Sequence, residues 1–290
     1  REWDDAKRIQ NDVRKNMNTY VPLDEMLLSN KICYTEVQLG AEYQPGVKYL
    51  NTKTKRFLAN REAPIYGIQH TFGIKGFLGG DYNYNYTEFT LKKRFWLKSW
   101  GSIDAFHCAS FQWNTVPYQL LCVPRANLSY IRCDNTFSLV RNLEFLNDRT
   151  FMMMYRWDLN GKLLNRIPLI KKLKWRETLG FNMMWGYLTD KNNPNRFNDA
   201  VRYPDIESKM ADPGYDFLYN MPGEWIANAD GTKSYVTLMQ PMNSWKPYLE
   251  INVGIHNVLK FFSIDYYHRL TYNRADTQTW GLRFEFEASF

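Results

Sequence analysis

The sequence predicts an all-β fold, the C-terminal part of a transmembrane antiparallel β-barrel, and three observations predict it. Apolar and polar residues alternate with a period of two in nine separate stretches. Aromatic residues make up 17% of the chain while its mean hydropathy is -0.53, so bulky rings sit among many polar groups. The last stretch, Trp280 to Phe290, keeps the alternation to its end. A barrel wall needs this combination, because lipid-facing apolar residues alternate with lumen-facing polar ones and rings gather at both interfaces. A soluble β-sandwich also uses alternation and is the structural rival; it would bury Trp175, Phe181, Trp185, Phe284 and Phe286 against a second sheet.

Residues 1–30 are mixed and charged, without sustained alternation, and read as a loop or the remnant of an upstream segment; barrel strands are expected over 31–290. In the first strand Val37, Leu39, Ala41 and Tyr43 share one face. Ile68, Phe72 and Ile74 mark the second, and Gly79, Gly80 and Asp81 a turn before a third over about 82–96. A fourth runs over about 102–113. Phe151, Met153, Tyr155, Trp157 and Leu159 carry the fifth, which ends at the turn residues Asn160 and Gly161. The sixth spans 173–187, with Trp175, Leu179, Phe181, Met183 and Trp185 on one face. Glu177 breaks that face, which suits a position near the interface, where charge costs far less than at the midplane. Leu249, Ile251, Val253 and Ile255 mark the seventh, Phe262, Ile264 and Tyr266 the eighth, and Trp280, Leu282, Phe284, Phe286, Ala288 and Phe290 the ninth.

Placing the C-terminus in the periplasm makes the connections at about 97–101, 160–172 and 256–260 periplasmic and those at 114–147 and 188–243 extracellular. The connection over 45–63 fits poorly, as either a long turn or a missed strand. Nine is an odd count where single-chain bacterial barrels have even ones, so upstream strands are expected to be missing and the chain to be a piece of a longer protein. An incomplete barrel would leave two sheet edges that lipid does not tolerate.

Composition narrows the function classes. The longest run without Asp, Glu, Lys or Arg, Ala105 to Pro124, holds Gln112, Asn114, Pro117 and Gln119, so no transmembrane helix is expected. The formal net charge is +7, concentrated in stretches such as Lys48–Arg61 and Lys162–Arg176. With no basic helix and no nucleic-acid motif, this charge suits lipopolysaccharide phosphates or anionic headgroups better than nucleic acid. Cys33, Cys108, Cys122 and Cys133 lack CxxC spacing; a Cys122–Cys133 disulfide is compatible with the spacing but not required by it. His70, His107, His256 and His268 lack carboxylates at ligand spacing, so no metal is expected. No catalytic triad, phosphate-cradling loop or carboxylate dyad stands out, and neither enzyme activity nor a cofactor is expected.

Several stretches together resemble a known family: GIKGFLGGDYNYNYTEF, VPYQLL, EFLNDR leading into NGKLLNRIPLIKKLKWRE, YLEINVGIHNVLKFFSIDYYHRLTY and WGLRFEFEASF. They are similar to Bacteroidota outer-membrane proteins that carry a carboxypeptidase-like regulatory domain ahead of a barrel of unknown function. The resemblance spans about 35–290. It implies a Gram-negative outer-membrane location, an upstream β-sandwich domain and no enzymatic activity. It also implies a stand-alone barrel or a subunit of larger assemblies such as barrel assembly or nutrient import machinery.

Four sets of residues are singled out. Leu282, Phe284, Phe286 and Phe290 read as a barrel-insertion signal for the assembly machinery, or more plainly as an amphipathic edge strand. Asp265, Arg269, Arg283, Glu285 and Glu287 share lumen-facing parity on adjacent strands and read as a structural ion network pairing across the interior. Lys162–Arg176 reads as an interfacial turn or a docking site for a periplasmic partner, and the long 188–243 connection as a default outer loop or a ligand-binding one. The leading expectation is a scaffold or accessory subunit whose lumen is filled, in contact with lipid and with other outer-membrane proteins or lipoproteins; the alternative is a passive or gated pore.

Overall fold

A computed structural model describes residues 33–60, 62–80, 82–116, 120–141, 144–192, 223–227, 233–237, 240–273 and 277–286. Residues 1–30, Glu287 and Phe290 lie outside this set, and with them part of each expectation placed there.

The described chain is all-β with almost no helix. In order it forms β1 (Glu36–Tyr43), β2 (Tyr49–Asn51), β3 (Arg56–Leu58), β4 (Ile65–Gly73), β5 (Tyr84–Trp96), β6 (Ser102–Gln112), β7 (Phe145–Leu146) and β8 (Arg149–Asp158). There follow a one-turn helix α1 (Pro168–Leu173), then β9 (Arg176–Tyr187), β10 (Gly223–Ala227), β11 (Lys233–Thr237), β12 (Gln240–Pro241), β13 (Tyr248–Val258), β14 (Phe262–Arg269) and β15 (Trp280–Phe286). Nine of these strands make one antiparallel sheet in the order β1-β4-β5-β6-β8-β9-β13-β14-β15. They are the nine the alternation marks. The 45–63 connection adds no strand to that sheet; it folds on itself as the β2–β3 hairpin.

One boundary moves and one turn falls where it is expected. The sixth stretch enters the sheet at Arg176, because Pro168 opens α1 at its first turn and Lys174, at φ 55, closes it, so Trp175 precedes the strand. Asn160 and Gly161, at φ 53 and 75, make the tight turn after β8 that their identities predict.

Period-two geometry sorts the sheet's faces. One carries Leu39, Ile68, Phe89, Phe151, Leu179, Val253, Tyr266 and Leu282, and all of these are exposed. The other carries Asn182, Glu250, Asp265, Arg269 and Arg283, and all of these are buried. That second face is concave. Arg156 Nη2 of β8 lies 3.7 Å from Glu285 Oε2 of β15, four strand positions away. On a flat sheet those strands would stand about 19 Å apart, so the contact requires the sheet to curl around it.

The sheet curls without closing: among the described residues β1 and β15 do not pair, and no closed barrel is found. At β15 the outer edge is taken by another part of the chain. Phe284 N–H donates to the Tyr130 carbonyl (2.8 Å) and Arg132 N–H to that of Phe284 (2.7 Å).

Residues 130–132 belong to the connection between β6 and β8, expected to be an outer loop. It turns back instead, and residues 120–141 and 144–148, here the inner segment, pack on the concave face. Phe137, Val140 and Phe145 join Phe106, Met152, Met154, Met184 and Tyr248 of the sheet in one buried cluster. Such a cluster would cost several kcal/mol to expose, at about 1.5–3 kcal/mol per large side chain.

Candidate functional site

The concave face and the inner segment together form a charged interior. Its upper part centres on Glu250 and Arg269, neighbours across β13 and β14 and each 0% exposed. Glu250 Oε1 accepts the Ser138 N–H (2.9 Å) and Asn182 Nδ2 (2.8 Å); Oε2 accepts the Leu139 N–H (3.1 Å) and the Tyr248 hydroxyl (2.9 Å). Arg269 turns away from Glu250 to Glu144 of the inner segment, at 2.6 and 3.2 Å. Its other donors meet the carbonyls of Leu139, Thr271 and Tyr272. Buried charges persist only when hydrogen-bonded this fully.

The lower part centres on Arg132. Its guanidinium forks onto Glu285 through Nε (2.9 Å) and Nη2, while Nη1 donates to Asp134 at 2.5 Å. Burial opposes the Arg132 charge, but Glu285 and Asp134 outweigh it and hold its pKa above the ordinary value. Asp265, 1% exposed, meets His256 Nε2 at 3.2 Å and Thr178 Oγ1 at 3.3 Å, with Arg132 Nε 3.9 Å away. Thr178 sits two strands from Asp265, and Gly254 is the register partner of both. A side chain at Gly254 would start 1.9 Å from Asp265 Oδ1, so only glycine lets the carboxylate lie across β13.

The singled-out residues are therefore brought to one interior, with partners other than those expected. Asp265, Arg269, Arg283 and Glu285 all face inward, yet none pairs with another. Arg283, opposite Asp265 in register, donates instead to the Ser138 and Asn127 carbonyls. Arg125, which pairs with Glu88 of β5, Arg132 and Glu144, all of the inner segment, complete the charged interior with His256, and sequence reasoning missed all four. Strand parity holds no signal for the first three, which lie in an aperiodic connection. One cue was readable: Met152 and Met154 face inward while Phe151 and Met153 face outward, so β8 is apolar on both sides and needs apolar cover on its inner one.

Leu282, Phe284 and Phe286 lie together on the outer face, Leu282 and Phe286 exposed. Glu177 sits on the outer face too but is only 8% exposed, because its carboxylate accepts the N–H groups of Leu163 (2.6 Å) and Leu164 (3.4 Å). The turn over 162–175 is otherwise exposed, with Leu169 and Leu173 outward beside Lys171 and Lys172. No disulfide joins Cys122, which is buried, to Cys133, which is exposed, so the pairing their spacing allows is not formed. Most of the 188–243 connection lies outside the described residues.

Below the inner segment the interior opens into a cavity of about 990 Å³, at the end that carries the turns around Lys98, Asn160 and Lys260. Among the described residues no cluster of His, Cys, Asp or Glu is arranged to hold a metal, and no helix is long and apolar enough to cross a membrane. What the arrangement does chemically is hold charge still: every acid named above is engaged by cations, amides or hydroxyls. Residues 7–194 match the model of a family described as "Family of unknown function (DUF5686) C-terminal domain". No curated protein matches the chain.

Proposed function

We propose an outer-membrane role for this chain, which belongs to the DUF5686 C-terminal domain family, a family of unknown function. It forms the C-terminal strands of a transmembrane β-barrel in a Gram-negative, Bacteroidota-type outer membrane, its C-terminus periplasmic and its lumen filled by its own inner segment. Its task is that of a scaffold or accessory subunit in a multiprotein assembly, such as barrel assembly or nutrient import machinery, beside other outer-membrane proteins or lipoproteins and lipopolysaccharide. It is not an enzyme.

One observation carries this reading: the burial is inside out. Leu39 is 62% exposed, Val253 51% and Phe286 66%, while Glu144, Glu250 and Arg269 are each 0% exposed. Water makes an exposed apolar face of nine strands costly, at about 25 cal/mol per Å², whereas lipid removes that cost. The filled interior favours a scaffold over a pore, since an aqueous path would have to displace the segment that Glu250, Arg269 and Glu285 hold.

Val253→Lys tests the membrane reading. Near the middle of a lipid-facing strand the substitution costs about 2–4 kcal/mol, whereas on a water-exposed strand surface it stays within about 0.5 kcal/mol. A loss below that smaller figure, measured by unfolding of the full-length protein from lipid vesicles, refutes it. The subunit reading is tested by mild-detergent purification from native membranes: stoichiometric partners support it, and a clean monomer that conducts ions in a planar bilayer replaces it with a pore.

A further inference from the structure

The cavity below the inner segment carries charge that the protein itself does not use. Of the charged side chains on its wall eight are Lys or Arg and four are Asp or Glu. The four acids are all occupied: Asp104 by both arms of Arg94, Glu285 and Asp134 by Arg132, and Asp158 by the Asn160 N–H at 2.7 Å. Among the cations, Lys92, Lys98 and Arg176 make no ion pair with any described residue. Charges left unmatched on one concave wall repel one another and give that wall a positive potential.

From this we infer that the cavity is a binding site for an extended polyanion of oligophosphate type. Lys98 follows β5 by two residues and Arg176 opens β9 two residues before Thr178, which lies three strand positions from Trp96 and in line with it through Ser102 and Asp158; Lys92 lies further up β5. Along the sheet Lys98 and Arg176 therefore stand about 14 Å apart, a span suited to a chain of phosphates between them, with Lys92 on the same cavity wall further in. Arg176 offers a planar fork that matches phosphate oxygens in pairs; Lys92 and Lys98 supply mobile point charges. The cavity is far larger than one such ion and leaves room for an uncharged moiety against Phe106 and Met154 on the same wall.

The test is calorimetric titration of the full-length protein with inorganic tripolyphosphate at moderate ionic strength, comparing three proteins. Wild type is expected to bind one equivalent saturably. Lys92→Ala/Lys98→Ala/Arg176→Ala binds at least about tenfold more weakly, since each lost charge-assisted hydrogen bond is worth more than that factor. Arg166→Ala/Lys171→Ala/Lys172→Ala, which removes equal charge from the exposed turn that holds α1, binds as wild type does. All three substituted groups are exposed, and an unchanged circular dichroism spectrum establishes that the variants fold. Phosphorus that leaves the purified protein with organic solvent assigns the same chemistry to a lipid headgroup, and phosphorus that exchanges against added tripolyphosphate assigns it to a soluble ion. Absence of saturable binding, equal weakening in the α1 control, or an acidic decapeptide binding as tightly as tripolyphosphate overturns the proposal.

Discussion

Removing Glu144 tests whether the buried ion pair holds the inner segment in place. In Glu144→Ala the Arg269 guanidinium keeps its three carbonyl acceptors but loses both carboxylate bonds, inside a site where each partner is 0% exposed. An uncompensated buried charge of this kind costs about 3–5 kcal/mol. At roughly 2–4 °C per kcal/mol for large domains, the thermal midpoint falls by about 6–20 °C. Arg269→Met alone also destabilises, because it strands Glu144. Combining Glu144→Leu with Arg269→Met removes both charges and recovers much of the loss, as apolar replacements of buried pairs often do. The assay is thermal unfolding followed by tryptophan fluorescence, with proteolysis of the 120–148 region as a local readout. If Glu144→Ala costs less than about 1 kcal/mol, or the two losses simply add in the double variant, the pair does not anchor the segment.

Two further outcomes follow from Cys122 and Glu177. Burial, then the charge of Asp148, raises the Cys122 thiol well above its ordinary pKa, and only the thiolate reacts. Maleimide at pH 8 is therefore expected to label exposed Cys133 in the folded protein and to reach Cys122 only after unfolding, as mass spectrometry of the digested protein would show; prompt labelling of Cys122 contradicts its placement. Glu177→Ala leaves two turn N–H groups without their acceptor, at a cost of about 1–3 kcal/mol, and should speed trypsin cleavage at Lys162, Lys171 or Lys172 severalfold; unchanged cleavage means that the carboxylate does not hold the turn.

The parity of Asp265, Arg269, Arg283 and Glu285 was legible because a strand has only two faces, and a two-residue period assigns each residue to one. Their partners were not. Arg269 and Glu144 stand 125 residues apart, and Arg132 and Glu285 153; no local pattern encodes pairs at such distance. The nine strands follow the same rule, visible wherever one face is apolar and the other polar. The path of the chain between β6 and β8 was illegible, since an aperiodic stretch reads alike as an outer loop or as interior packing. Phe137, Leu139, Val140, Phe145 and Leu146, all buried, were the cue within it. Closure of the sheet was beyond the pattern too, because alternation counts strands and is silent on which edges meet.

The anchors of the inner segment also bear on the order in which the molecule is built. Every group that fixes its far end, Glu250 on β13, Arg269 on β14 and Glu285 on β15, comes from strands made more than a hundred residues later in the chain. Contacts of that span form slowly, because a long loop must close before any of them is rewarded. The inner segment must therefore wait, emerging early and settling last, and its burial marks the moment at which the C-terminal hairpins have arrived. A chaperone or protease that recognises this stretch while it is still uncovered would distinguish an unfinished copy from a finished one.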